Sequence, residues 1–84
     1  MAAVELTLVS KPDCHLCEAA REVVTSVVAE FDDVKVTELS IFDDAALLER
    51  YEDDIPVVLV NERVHTIWRV DPARLRTALV EASA

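Results

Sequence analysis

The feature that most constrains this chain is the point where its apolar period lengthens from two residues to between three and four. Both of its cysteines sit there. Val4, Leu6 and Leu8 recur every second residue, with Thr7 and Val9 on the alternate face, the pattern of a largely buried strand. Ser10-Lys11-Pro12-Asp13 interrupts that pattern. From Leu16 the apolar positions run through Ala19, Ala20, Val23, Val24, Val27, Val28 and Phe31, with Glu18, Arg21, Glu22 and Glu30 between them. This spacing predicts an amphipathic helix, and its β-branched content means that packing against a sheet must hold it.

The later segments extend the same alternation of strand and helix. Asp32-Asp33 ends the helix, and Val34 to Leu39 reads as a second strand. Strand, helix and strand in this order predict a right-handed βαβ unit with parallel strands. Asp43 or Asp44 can cap a short helix through Ala45, Ala46, Leu47, Leu48 and Tyr51, closed by Glu52-Asp53-Asp54. Ile55 to Val60 is a strand with a proline near its start, where the missing N–H is tolerated. Asn61-Glu62-Arg63 connects it to a fourth strand, Val64 to Ile67, and Asn61 can take the positive φ of a tight hairpin. Asp71-Pro72 is an N-cap followed by proline at the first helical position. Ala73, Leu75, Ala78, Leu79 and Ala82 complete a final helix. With 84 residues and no repeat or linker, residues 1–84 are expected to form one domain.

The chain has no glycine at all, so Asn and Asp must supply the left-handed backbone at turns and helix ends. A Gly-rich phosphate loop is excluded for the same reason. A net charge of −9, from eight basic and seventeen acidic residues, argues against nucleic acid and anionic membranes as partners. No apolar run approaches a membrane span, and the N-terminus lacks the pattern of a signal peptide. A cytoplasmic, monomeric protein is expected. In that reducing compartment a closely spaced cysteine pair points to catalysis or metal binding rather than to a permanent staple.

Cys14-His15-Leu16-Cys17 lies where the turn enters the first helix. Cysteines three apart share a helix face, so a reversible disulfide is within reach. Cys14 in the first turn faces unpaired N–H groups and the positive end of the helix dipole, which favour a thiolate, so Cys14 is the candidate nucleophile. Cys17, one turn further in, suits a resolving role. Lys11 is the stronger electrostatic helper of Cys14, and a protonated His15 would act in the same sense. Asp13 opposes them unless its carboxylate caps the helix. His65 falls on the polar alternation of its strand and reads as a surface residue. Two cysteines and His15 make an incomplete metal set.

The element order, the Cys-x-x-Cys at the first helix and the Ile55-Pro56 before the third strand resemble the thioredoxin fold. That fold is α/β, β-α-β-α-β-β-α, with a four-stranded mixed sheet flanked by three helices. Within it, Ser10-Lys11-Pro12-Asp13-Cys14-His15-Leu16-Cys17 is most similar to the glutaredoxin-like proteins, which place a lysine three residues before the first cysteine. The resemblance implies a cis Pro56 beside the cysteines, with the Ile55 backbone pairing with a substrate's main chain. The fold also brings Trp68, Arg69 and Asp71 to the cysteine end, as candidates for the substrate rim. Two departures weaken the case for glutathione as ligand. Asp53-Asp54 precedes Ile55-Pro56, where acids repel glutathione's carboxylates. Trp68-Arg69 replaces the Gly-Gly that lies along glutathione in that family, and a bulky Trp68 closes the pocket.

The expected activity is thiol-disulfide oxidoreduction through a Cys14/Cys17 dithiol-disulfide cycle, serving electron transport and cell redox homeostasis. The partners implied are a protein or small-molecule disulfide and an electron donor. No bound cofactor is expected, and glutathione is a candidate reductant. Two other readings stay open: a protein holding a metal or iron-sulfur cluster through Cys14, and a redox-inert scaffold that keeps only the fold.

Overall fold

The computed structural model describes residues 3–84. β1 (Val4–Ser10) runs through the middle of a four-stranded sheet of order β2-β1-β3-β4. β2 (Val34–Ser40) lies parallel to β1, pairing Val4 with Val34 through to Ser10 with Ser40. β3 (Val57–Val60) runs antiparallel on the other side of β1, and β4 (Arg63–Ile67) returns antiparallel to β3. The sheet is therefore mixed, and the βαβ unit has the parallel strands that the apolar periods predict.

α1 (His15–Val28) and α3 (Pro72–Ala82) cover one face and α2 (Ala45–Tyr51) part of the other. On the first face Val4, Leu6, Leu8, Val58 and Val60 meet Ala20, Val24 and Val27 of α1 and Leu75 and Leu79 of α3. Leu6, Leu75 and Leu79 are wholly buried. Burial of each such leucine stabilises the fold by roughly 1.5–3 kcal/mol. The second cluster joins Val9, Cys17, Ile41, Tyr51, Ile55 and Val57, with Cys14, Leu47, Leu48 and Ile67 packed against it. One of the two apolar clusters is thus built around the cysteine pair. No helix among the described residues is long and apolar enough to cross a membrane.

Among the described residues, four take the left-handed backbone that glycine would ordinarily supply: Asp13 (φ 56°), Asn61 (50°), Glu62 (67°) and Trp68 (66°). Asn61 and Glu62 together form the two-residue turn of the β3–β4 hairpin, the conformation whose twist suits paired strands. Asn61 also exchanges hydrogen bonds with Glu5, donating its N–H to the Glu5 carbonyl and accepting the Glu5 N–H on Oδ1.

Several local expectations are corrected. Asp13 does not cap α1: it occupies the left-handed turn position, and Cys14, with extended backbone, is the N-cap. A chain with no glycine must spend its asparagine and aspartate on such turns, which moves the cap one residue on. α1 ends at Val28, short of Phe31, and the chain leaves it through a turn while Phe31 still packs against the core. Leu16, the first apolar position of the helical pattern, is 40% exposed. His65 is half-buried rather than a plain surface residue. β4 bulges opposite Val58, and the extra residue is His65, which the bulge turns toward α3.

Candidate active site

The site lies where four loops meet at one end of the sheet: residues 11–14 after β1, 41–44 after β2, 52–56 before β3 and 68–71 after β4. The topology dictates this meeting, because β1, β2 and β4 point toward that end and β3 starts from it. Ile41 is buried beneath it among Val9, Cys17, Ile55 and Val57.

Cys14 and Cys17 are joined as a disulfide with their Cα atoms 5.2 Å apart. They differ in exposure. Cys14 is half-buried at the helix end, whereas Cys17 is 1% exposed. The Cys17 N–H donates to Cys14 Sγ at 3.1 Å, so sulfur occupies the place where a serine or aspartate oxygen usually closes the first helical turn. The Glu18 N–H meanwhile bonds the Cys14 carbonyl at 3.1 Å. With the disulfide reduced, a thiolate at this position would accept a charge-assisted hydrogen bond and face the positive end of the dipole. Both effects favour the anion.

The residues expected to tune the site are not equally placed. Lys11 and Asp13 are exposed in the turn before α1. The His15 side chain is fully exposed, with Nδ1 3.6 Å from Glu18 Oε2. Among the described residues, the hydrogen-bond donor that reaches Cys14 Sγ is the Cys17 backbone rather than the side chain of Lys11 or His15. Ile55 and Pro56 are buried against the cysteine cluster, and the peptide bond between them is cis. Asp71 caps α3, its Oδ2 accepting the Arg74 N–H at 2.8 Å.

Trp68 is set by its backbone. Its N–H donates to the Pro56 carbonyl at 2.8 Å, and the Arg69 N–H folds back onto the Ile67 carbonyl at 2.8 Å. The result is a three-residue turn with Trp68 at its centre and φ at 66°, a conformation that costs a bulky residue on the order of 1–3 kcal/mol. The Thr66 hydroxyl steadies the turn by donating to the Arg69 carbonyl at 3.1 Å. The indole Nε1–H donates to the Asp53 carbonyl at 3.2 Å and ties the β4 end to the loop before Ile55. Between Trp68 and α1 lies a cleft of about 110 Å³, lined by Leu16, Ala19, Ala20, Val23, Arg69 and Val70 as well as Trp68.

This arrangement agrees with the comparisons. The family model described as glutaredoxin-like domain (DUF836) matches residues 5–80. The chain belongs to that family. A solved relative is the structural-genomics target XcR50 from X. campestris, 34% identical, covering 90% of this chain and 96% of its own, with a TM-score of 0.73. Protein Ne2328 from Nitrosomonas europaea is 17% identical, covers 94% of each chain and has a TM-score of 0.78. Mitochondrial thioredoxin 3 from Saccharomyces cerevisiae, in its oxidised form, is 10% identical, covers 96% of this chain and 80% of its own, and has a TM-score of 0.71. The last two likenesses concern the fold alone. This glutaredoxin-like domain therefore has the thioredoxin fold, and a Cys14–Cys17 disulfide at its α1 terminus supports a redox role.

Sequence reading missed two exposed side chains at this end. The helical spacing puts Leu16 in the core stripe, and Phe42, 65% exposed, belongs to no apolar pattern of the sequence. The available signal was the pair Ile41-Phe42 between Ser40 and the capping Asp44. Adjacent residues leaving a strand face opposite ways, so burying Ile41 turns Phe42 outward.

Proposed function

We propose that this glutaredoxin-like domain is a cytoplasmic, monomeric thiol-disulfide oxidoreductase that cycles Cys14 and Cys17 between dithiol and disulfide, in electron transport and cell redox homeostasis. The observation that carries the reading is the half-buried Cys14 at the N-cap of α1, its Sγ bonded to that of a fully buried Cys17. In the reduced protein the Cys14 thiolate attacks one sulfur of a substrate disulfide. A Cys14–substrate disulfide forms, and the first substrate thiolate leaves and takes a proton from water. Cys17, deprotonated as it reacts, attacks Cys14 Sγ and expels the second substrate thiol. Two electrons pass from the protein dithiol to the substrate, and the Cys14–Cys17 bond remains. A dithiol, or two monothiols, then returns the two electrons.

Ile55 and Pro56 are assigned to substrate main-chain pairing, Trp68 and Arg69 to the rim, and Asp71 to holding the end of α3 beside that rim. Lys11, and His15 when protonated, add positive potential near Cys14, and Asp13, which does not cap α1, subtracts from it. Glutathione is the weaker reductant in this reading, because Asp53-Asp54 precedes Ile55 and Trp68 stands where glutathione would lie. Trapping tests the cycle. Cys17→Ser should accumulate a mixed disulfide with a model disulfide, and Cys14→Ser should not. Equal turnover by both variants and the parent would overturn the assignment of roles.

A further inference from the structure

The cysteine end carries an unusual pairing of surface types. Among the described residues, the large exposed hydrophobic side chains are Leu16, Val36, Phe42, Val64, Trp68 and Val80. The three that are not valines, Leu16 (40% exposed), Phe42 (65%) and Trp68 (52%), all belong to the loops and first helical turn around Cys14. Lone exposed hydrophobics need no explanation, but three large ones around one reactive sulfur mark a surface that makes contacts. A small disulfide has nothing to lay across all three. A polypeptide segment does.

The charges at this end give the sign of that segment. The four loops hold seven acidic residues against Lys11 and Arg69. Asp13, Asp43 and Asp53 are exposed, and Asp53-Asp54 comes directly before the Ile55 backbone. The cleft between Trp68 and α1 opens beside this acidic rim, and the indole hydrogen bond to the Asp53 carbonyl holds the two together.

We propose that the substrate of Cys14 is a basic polypeptide segment whose disulfide is flanked by Arg or Lys and by an aliphatic side chain. The aliphatic group seats against Leu16 and Trp68, with Phe42, on the loop after β2, across the β1 loop from Trp68. The cationic groups face the acidic loops. This rests on the thiol-disulfide reading above and adds the class of substrate to it. The electron balance is that of the same cycle, with the peptide disulfide as the acceptor.

Single-turnover oxidation of the fully reduced protein tests this, followed by rapid alkylation and mass spectrometry. The probes are three symmetric peptide disulfides: Leu-Arg-Cys-Arg-Leu, the same peptide with Glu for Arg, and the cationic peptide with Ser for Leu. Each rate is divided by the rate of that peptide with a free small-molecule dithiol, which removes intrinsic reactivity. The cationic, Leu-containing peptide should react about ten-fold or more faster than the Glu peptide, within the range of electrostatic steering. That advantage should largely vanish at about 1 M salt, where the screening length is about 3 Å. Exchanging Leu for Ser should slow the reaction several-fold, and Trp68→Ala should remove that difference. Asp53→Asn/Asp54→Asn should lower the cation-to-anion ratio. Fast reaction of all three peptides without preference for charge or Leu overturns this inference and leaves the oxidoreductase standing. Reaction no faster than that of the free dithiol overturns both.

Discussion

The Cys17 N–H donates to Cys14 Sγ across 3.1 Å, so the sulfur we propose as the nucleophile is also the atom that caps α1. A disulfide sulfur is a weak acceptor and a thiolate a strong one, so reduction to a thiolate should strengthen the cap. Structure and chemistry are joined through this one atom.

Substitutions of Cys14 in the absence of a disulfide should separate these roles. Serine is a strong N-cap and alanine is not, a difference of typically about 1 kcal/mol. Cys14→Ser should therefore be more stable than Cys14→Ala by about that amount, although both lack activity. Urea unfolding of the two variants under reducing conditions checks it. Equal midpoints would mean that the side chain at position 14 does not hold the helix.

Trp68 occupies a backbone position with φ of 66°, suited to glycine. Trp68→Gly should relieve the local strain, release the tie to Asp53 and open the cleft beside α1. Turnover with glutathione as reductant should rise several-fold relative to the parent. A rate that stays the same or falls would show that the indole is not what keeps glutathione out.

Glu38 and His65 each give the stability of this protein a dependence on pH. Glu38 is held below its ordinary 4.5 chiefly by its hydrogen bond from Arg21, aided by the hydroxyl of buried Ser10 and opposed by burial. Its contribution is fully present above the unfolded value and is lost as pH falls through the folded one. The pair is largely exposed, so the effect is no more than about 1 kcal/mol. His65 is pushed below 6.5, first by burial and then by Arg74, and its buried Nε2 has no hydrogen-bond partner among the described residues. The neutral imidazole is the form that fits, so its contribution is present above 6.5 and declines as pH falls through the lowered folded value. Unfolding midpoints measured against pH should flatten for His65→Gln just below 6.5 and for Glu38→Gln only below 4.5. Profiles that match the parent in both windows would contradict these origins.

Much of this architecture was legible because apolar spacing fixes which face of an element is buried. Val4-Leu6-Leu8, the α1 stripe from Ala20 to Val28 and Asp71-Pro72 each have one good solution, and the structure adopts it. Errors occurred where two local rules competed. Asp13 satisfies both a left-handed turn and an N-cap, and the absence of glycine decided for the turn. His65 follows the polar alternation of a strand, but a bulge inserts one residue and reverses the face. Leu16 has helical spacing yet lies at the helix end, beyond the reach of the sheet. Trp68 at positive φ runs against side-chain sterics, and no propensity rule points to it. Of the site, the cysteine pair and Ile55-Pro56 were readable from spacing and resemblance. The exposure of Leu16 emerges only once the loops are assembled in space, whereas that of Phe42 follows from the burial of its neighbour Ile41.

The most direct measurement is the ionisation of Cys14 in reduced protein, read from its rate of alkylation against pH with Cys17→Ser as the reference for assignment. Cys14 should titrate well below the ordinary thiol value of about 8.5, with Cys17 slow to alkylate at neutral pH. If Cys14 titrates at or above that value, or is no more reactive than Cys17, the cap does not stabilise a thiolate and the account of the site is wrong.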